Sequence, residues 1–184
     1  MYRYLYLGLF LAVLPVSSGC SPQNSEAQTN KDGMIRDALR GAMPSISDKA
    51  AIKDWEGNTL REGSSGYVCY PTPPGSPAES SPMCLDKTWQ EWVDAWMNKR
   101  DPKITSIGIG YMLQGDTGAS NTDPFATAQT ADNQWVVTPA HIMVLTPDRQ
   151  QLDTLPTDPN NGGPWVMWKG TPYAHIMVPT VAMP

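Results

Sequence analysis

The chain's only two histidines sit in one repeated pentapeptide, Ala-His-Ile-Met-Val, at 140–144 and again at 174–178. On a β-strand, residues two apart face the same side. His141 therefore shares a side with Met143, and His175 with Met177. If the two strands lie side by side in register, two imidazoles and two thioethers gather on one face. Thioethers are soft donors, and together with imidazole they favour Cu(I) over the hard ions that want oxygen. His141, Met143, His175 and Met177 are thus a candidate copper site. The plainer alternative is structural. Ala, Ile and Val of each copy would make one buried face, with His and Met on the other. Methionine is an ordinary filler of gaps, and a strand histidine is more often hydrogen-bonded than metal-bound. On that reading the chain needs no cofactor.

Each pentapeptide has a similar lead, Trp135-Val136-Val137-Thr138-Pro139 before the first, and Trp165-Val166-Met167 followed by Thr171-Pro172 before the second. The echo is too short for a solenoid repeat. It predicts strands over 135–137, 141–145, 165–168 and 173–178. Upstream, Ile107, Ile109, Tyr111 and Leu113 alternate with Ser106, Gly108, Gly110 and Met112, which predicts another strand over 104–113. Its paired glycines predict a close neighbour on that side.

The clearest helix is 89–100, where Trp89, Trp92, Val93, Trp96 and Met97 fall on one face. Thr88 and Glu91 stand at capping-box spacing, and Asp101-Pro102 ends the segment. A tryptophan stripe of this kind is core by default and a groove for a sugar or aromatic ligand by alternative. Short helices are predicted over 34–40 and 47–55. A hairpin is predicted from 58–62 and 67–70 around Gly63-Ser64-Ser65-Gly66, and a helix over 147–155 capped by Thr146. Gly115 to Asn133 reads as a long polar loop. The short connections between the later strands point to a single α+β domain with an antiparallel or mixed sheet and a Trp-rich helix.

Leu5 to Val16 is an apolar run preceded by Arg3. Twelve helical residues cover about 18 Å, short of the ~30 Å hydrocarbon core of a bilayer. The run therefore predicts a secretory signal rather than a span. It ends in Val16-Ser17-Ser18-Gly19-Cys20, which resembles the lipobox of bacterial lipoproteins, with Ser17 where that family usually carries Leu. The resemblance implies cleavage before Cys20, acylation of Cys20 and attachment to a membrane. With Ser21 next, it implies the outer membrane rather than the inner. Ser17 and Gly19 also suit ordinary signal cleavage, which would leave a secreted or periplasmic protein. Residues 20–33 are polar and are expected to be a flexible tether. The chain then divides into a signal segment at 1–19, a lipidated cysteine and tether at 20–33, and a globular domain at 34–184.

If Cys20 carries lipid, Cys69 and Cys84 remain. An oxidising compartment favours a disulfide between them, with free thiols or a metal pair as alternatives. The net charge of −5 argues against a nucleic-acid partner, which would want a basic face. The chain carries no nucleophile elbow, phosphate loop, dinucleotide fingerprint or EF-hand spacing. Asp116-Thr117-Gly118-Ala119-Ser120 resembles the signature of aspartic proteases. The apolar residues that precede the Asp in that family are missing here, so a polar turn is expected. Pro82-Met83-Cys84, the segment 110–115 and the segment 163–168 resemble parts of uncharacterised exported bacterial proteins. That likeness implies a self-contained domain and brings no activity.

Three functions remain, and whether the chain is an enzyme stays open. One is non-catalytic binding of an envelope protein or small ligand, another is copper handling, and the third is a small hydrolase pairing a histidine with an acid.

Overall fold

Wherever residues alternate with period two in the second half of the chain, they become the middle of a sheet. The computed structural model describes residues 22–76 and 80–183, so the signal segment at 1–19 and Cys20 lie outside the described residues. The strands are β1 (Ala51–Lys53), β2 (Thr59–Arg61), β3 (Val68–Tyr70), β4 (Met83–Leu85), β5 (Gly108–Met112), β6 (Ala119–Ser120), β7 (Trp135–Val136), β8 (His141–Leu145), β9 (Trp165–Met167) and β10 (His175–Pro179). The helices are α1 (Pro22–Ala38), α2 (Pro44–Ser47) and α3 (Lys87–Met97), with 3-10 turns at Leu39–Gly41 and Arg149–Thr154.

Eight strands form one sheet in the order β2-β1-β3-β4-β5-β8-β10-β9, and β6 and β7 form a separate ribbon. β1 and β3 pair in parallel, while the other neighbours pair antiparallel. The protein is therefore α+β, with a mixed sheet and a Trp-rich helix. Among the described residues no helix is long and apolar enough to cross a membrane.

α3 covers one face of the sheet. Its cap is Asp86, which accepts from the Trp89 amide at 2.9 Å. Thr88, read as the cap, instead shares a hydrogen bond with the Ser106 hydroxyl. The helix stops at Met97, and Lys99 takes a left-handed conformation three residues before Pro102. The glycines of β5 are what let α3 sit so low. A Cβ on Gly108 would lie 3.0 Å from Thr88 Cβ, and one on Gly110 would lie 3.0 Å from Met143 Cε and 3.4 Å from Trp89 Cδ1.

The opposite face is covered at its two ends. Ala38, Ala42, Ala50, Ile52, Cys69 and Cys84 form one buried group, and Leu152, Val166 and Ala174 form the other. Cys69 and Cys84 stand directly opposite on β3 and β4 and are joined by a disulfide. The bond closes a 15-residue separation, for which the chain-entropy model gives about 3 kcal/mol. Five prolines between the two cysteines already stiffen that loop. Exchanging both cysteines for alanine is expected to lower unfolding stability by roughly 2 kcal/mol in urea titrations. An unchanged midpoint would show the prolines alone hold the loop.

Several elements differ from the sequence-based expectation. Residues 47–55, expected as a helix, hold the end of α2 and then β1. Ile52 is fully buried between β2 and β3, so tertiary pairing overrides a weak local preference. The expected hairpin of 58–62 with 67–70 does not pair with itself, because β1 lies between its two arms. Gly63 crosses against the β1 backbone, where a Cβ would meet the Ala51 amide nitrogen at 2.1 Å. The helix expected over 147–155 is the tighter 3-10 turn at Arg149–Thr154, capped by Asp148 rather than Thr146. Residues 22–33 of the tether belong to α1, whose residues 28–30 are exposed. α1 is anchored further along, where Asp37 accepts from the Thr72 amide and the Ser80 hydroxyl, both at 2.7 Å.

Candidate functional site

β8 and β10, the two copies of the pentapeptide, are antiparallel neighbours with Met143 opposite Met177. Directly paired residues share a face. His141, Met143, His175 and Met177 are therefore all on one side of the sheet, and each is buried. That side is the core, under α3, while Ile142, Val144, Ile176 and Val178 are only half-buried on the other. Of the Ala, Ile and Val residues expected to make the buried face, only Ala174 is buried, beside Leu152 and Val166, while the heavy tryptophans of α3 cover the His-Met side.

A cavity of about 190 Å³ lies between this face and α3. Both histidines and five of the ten methionines line it: Met83, Met112, Met143, Met167 and Met177. The tryptophans of the α3 stripe, Trp89, Trp92 and Trp96, form the opposing wall together with Trp168. Wider and more open clefts, such as the 590 Å³ one between α1 and Pro71-Thr72, hold no imidazole.

The imidazoles are held alike. The Nδ1 of His141 lies 2.7 Å from the Pro139 carbonyl oxygen, and the Nδ1 of His175 lies 3.0 Å from that of Tyr173. A carbonyl only accepts, so Nδ1 carries the proton and Nε2 keeps a free lone pair. This is the arrangement in which a backbone carbonyl orients a ligating histidine. Among the described residues, Nε2 of His141 is buried with no hydrogen-bond partner. Burial depresses the affinity of both rings for a second proton: it lowers His141 against the opposing pull of Asp116 and the Pro139 carbonyl, and takes His175 down to about 4. Both are neutral at pH 7, as a metal ligand must be.

The two residues are offset along the strands, although the His141 charge still acts on His175. His141 pairs with Pro179, four residues beyond His175 on β10, which separates the two Cα positions by about 14 Å along the strand. Between them stands the Met143–Met177 pair. Neighbouring strands add thioethers that the sequence pattern did not single out, with Met112 of β5 opposite His141 and Met167 of β9 opposite His175. Met112 was visible as the polar-side partner of Gly108 and Gly110, but its register against His141 was not.

Asp116, the head of the protease-like signature, also lines the cavity. Its Oδ1 accepts from the Gly118 and Thr138 amides, both at 2.9 Å, in a tight turn with Gly118 at φ 102°. The signature is thus a polar turn that sets one carboxylate into the cavity wall.

The aromatic wall is ordered. Trp92, Trp96, Trp168 and Phe125 stack nearly parallel, with interplanar angles of 2–13° between adjacent rings. Trp168 sits at φ 56°, where a bulky side chain is strained. Hydrogen bonds fix it there: its amide donates to Asn121 O, its indole N–H to Ser120 O, and its carbonyl accepts from Thr171.

Among the described residues no cluster of three or more His, Cys, Asp or Glu side chains is placed to hold a metal ion. Any metal in the cavity would therefore rely on thioethers beside an imidazole. Among the described residues, neither histidine hydrogen-bonds a carboxylate. Comparison with protein families, curated proteins and solved structures finds no match to this chain.

Proposed function

We propose that this chain is an exported, non-catalytic binding domain of the bacterial envelope. It is anchored through a lipid on Cys20, with the outer membrane favoured, and it holds a Cu(I) ion in the cavity between the sheet and α3. The observation that carries the metal reading is the lone pair of His141 Nε2, buried without a partner in a wall of thioethers. A buried acceptor left unpaired costs about 1–3 kcal/mol, and a soft ion would satisfy it. Size supports the same reading: about 190 Å³ is below the ~300–1,000 Å³ of small-molecule pockets. The neutral, carbonyl-oriented imidazole of His141 favours binding over hydrolysis, which wants a histidine paired with an acid.

One observation favours a second reading, a small organic ligand in the same cavity. The indole N–H of Trp92 is also buried without a partner among the described residues, and a ligand carbonyl would accept from it.

Thermal unfolding of the mature domain with one equivalent of Cu(I), kept reduced under nitrogen, separates the two readings. An ion bound at 100 times its dissociation constant adds about 2.7 kcal/mol. Cu(I) is expected to raise the midpoint, and Zn(II) and Ca(II) to leave it in place. No response to Cu(I) would end the metal reading. The anchor is tested by labelled palmitate, which should enter the full chain and not its Cys20→Ser variant.

A further inference from the structure

The pentapeptide echo becomes a local two-fold in three dimensions. Met143 and Met177 sit opposite each other at its centre, with His141 two residues from the centre on β8 and His175 two residues from it on β10. The outer strands extend the symmetry, because Met112 faces His141 and Met167 faces His175. Register alone would make two equivalent ends, each with an imidazole and thioethers.

Their surroundings break the equivalence. The His175 ring is met edge-on by Trp89, Trp92 and Trp168, with centroids 5.3, 5.6 and 5.0 Å away. Three indoles crowd this ring on its edges, although it also lines the cavity. At the other end, Nε2 of His141 is buried and, among the described residues, has no hydrogen-bond partner. Three methionines are its neighbours in strand register. Met112 is directly across, Met143 is two residues along the strand, and Met177 is on the diagonal, a separation long side chains span. Asp116 sets a carboxylate into the same wall. Imidazole and thioether are neutral donors, so a monovalent ion would bring an uncompensated charge into an apolar cavity. A buried charge needs a partner, and Asp116 supplies one.

We infer that one Cu(I) ion is seated at the His141 end, ligated by Nε2 of His141 and the thioethers of Met112, Met143 and Met177, with Asp116 as its countercharge. The His175 end is packing. This seat rests on the Cu(I) reading above.

Competition against a colorimetric Cu(I) chelator, run anaerobically on the mature domain, tests it with four variants. Loss of a group that merely orients a ligand already costs ~10–100-fold in metal affinity. His141→Leu, which removes a ligand, is therefore expected to weaken Cu(I) by at least about 100-fold. Met112→Leu, close in volume and so tolerated by the core, should weaken it by about 10-fold, and Asp116→Asn by a similar factor. His175→Phe, which keeps a ring between the indoles, should stay within about threefold of the parent, as no ligand is lost. Near-UV circular dichroism confirms that each variant keeps its packed tryptophans. Should His141→Leu not fold, Met112→Leu and Asp116→Asn carry the test.

A parent protein with no affinity for Cu(I) would remove the metal reading and this seat together. A parent that binds Cu(I) while His175→Phe loses it, and folded Met112→Leu and Asp116→Asn bind as tightly as the parent, would overturn the seat and leave the metal reading standing.

Discussion

Trp89→Ala is expected to destabilise the domain by about 4 kcal/mol, near the top of what one core substitution does. Trp89 is 2% exposed and is the first buried residue of α3. Its indole N–H donates to the Met143 carbonyl at 3.1 Å. Its ring lies 4.8 Å from that of Trp92 and 5.3 Å from that of His175, and its Cδ1 rests over Gly110. Truncation removes the apolar contact and leaves a void continuous with the 190 Å³ cavity. The floor of that void is a sheet that cannot collapse into it, because β5 is already fixed between β4 and β8. Loss of the bond to Met143 adds about 1 kcal/mol within that total. Urea titration followed by far-UV dichroism measures it, and a change under 1.5 kcal/mol would mean that α3 is not the lid of the core.

Acid is expected to weaken the metal-free domain well before its carboxylates dominate. Burial holds the His175 ring down at about 4 and lowers His141 in the same direction, whereas a histidine in the unfolded chain titrates near 6.5. Between roughly 6.5 and 4 the unfolded chain thus binds protons that the folded one refuses. Stability must therefore fall as pH falls through that window, and it is fully present above 6.5. His175 alone accounts for roughly 3 kcal/mol by pH 4, and His141 adds to it. Urea midpoints taken between pH 7.5 and 4 follow the loss. His175→Gln should flatten the slope relative to the parent, whose carboxylates are unchanged. Equal slopes in the two proteins would show that the imidazole is protonated inside the fold.

Much of this architecture was legible in the residues, and the illegible parts have physical causes. The later strands announced themselves by alternation, and the identical pentapeptides marked two strands that turned out to be neighbours. Gly108 and Gly110 foretold a close approach, which is that of α3 and Met143. The disulfide followed from two cysteines in an expected oxidising setting. β1 was not legible, since Ala51-Ile52-Lys53 is too short to show a period and becomes a strand only by pairing on both sides.

The site was half visible. His141, Met143, His175 and Met177 do share a face, but register is set by the connections between strands, and no pattern within a strand records it. For that reason the pairing of Met112 with His141, and the offset between the two imidazoles, emerged only in three dimensions. Asp116 looked like a fragment of protease signature. Its place in the cavity wall depends on the Thr138 amide, 22 residues away.

The most direct test of the metal reading is copper K-edge X-ray absorption on the domain loaded with one equivalent of Cu(I). The expected result is a sulfur-dominated first shell with a single imidazole and no oxygen. A shell of oxygen and nitrogen alone, or one with no sulfur scattering, would contradict it.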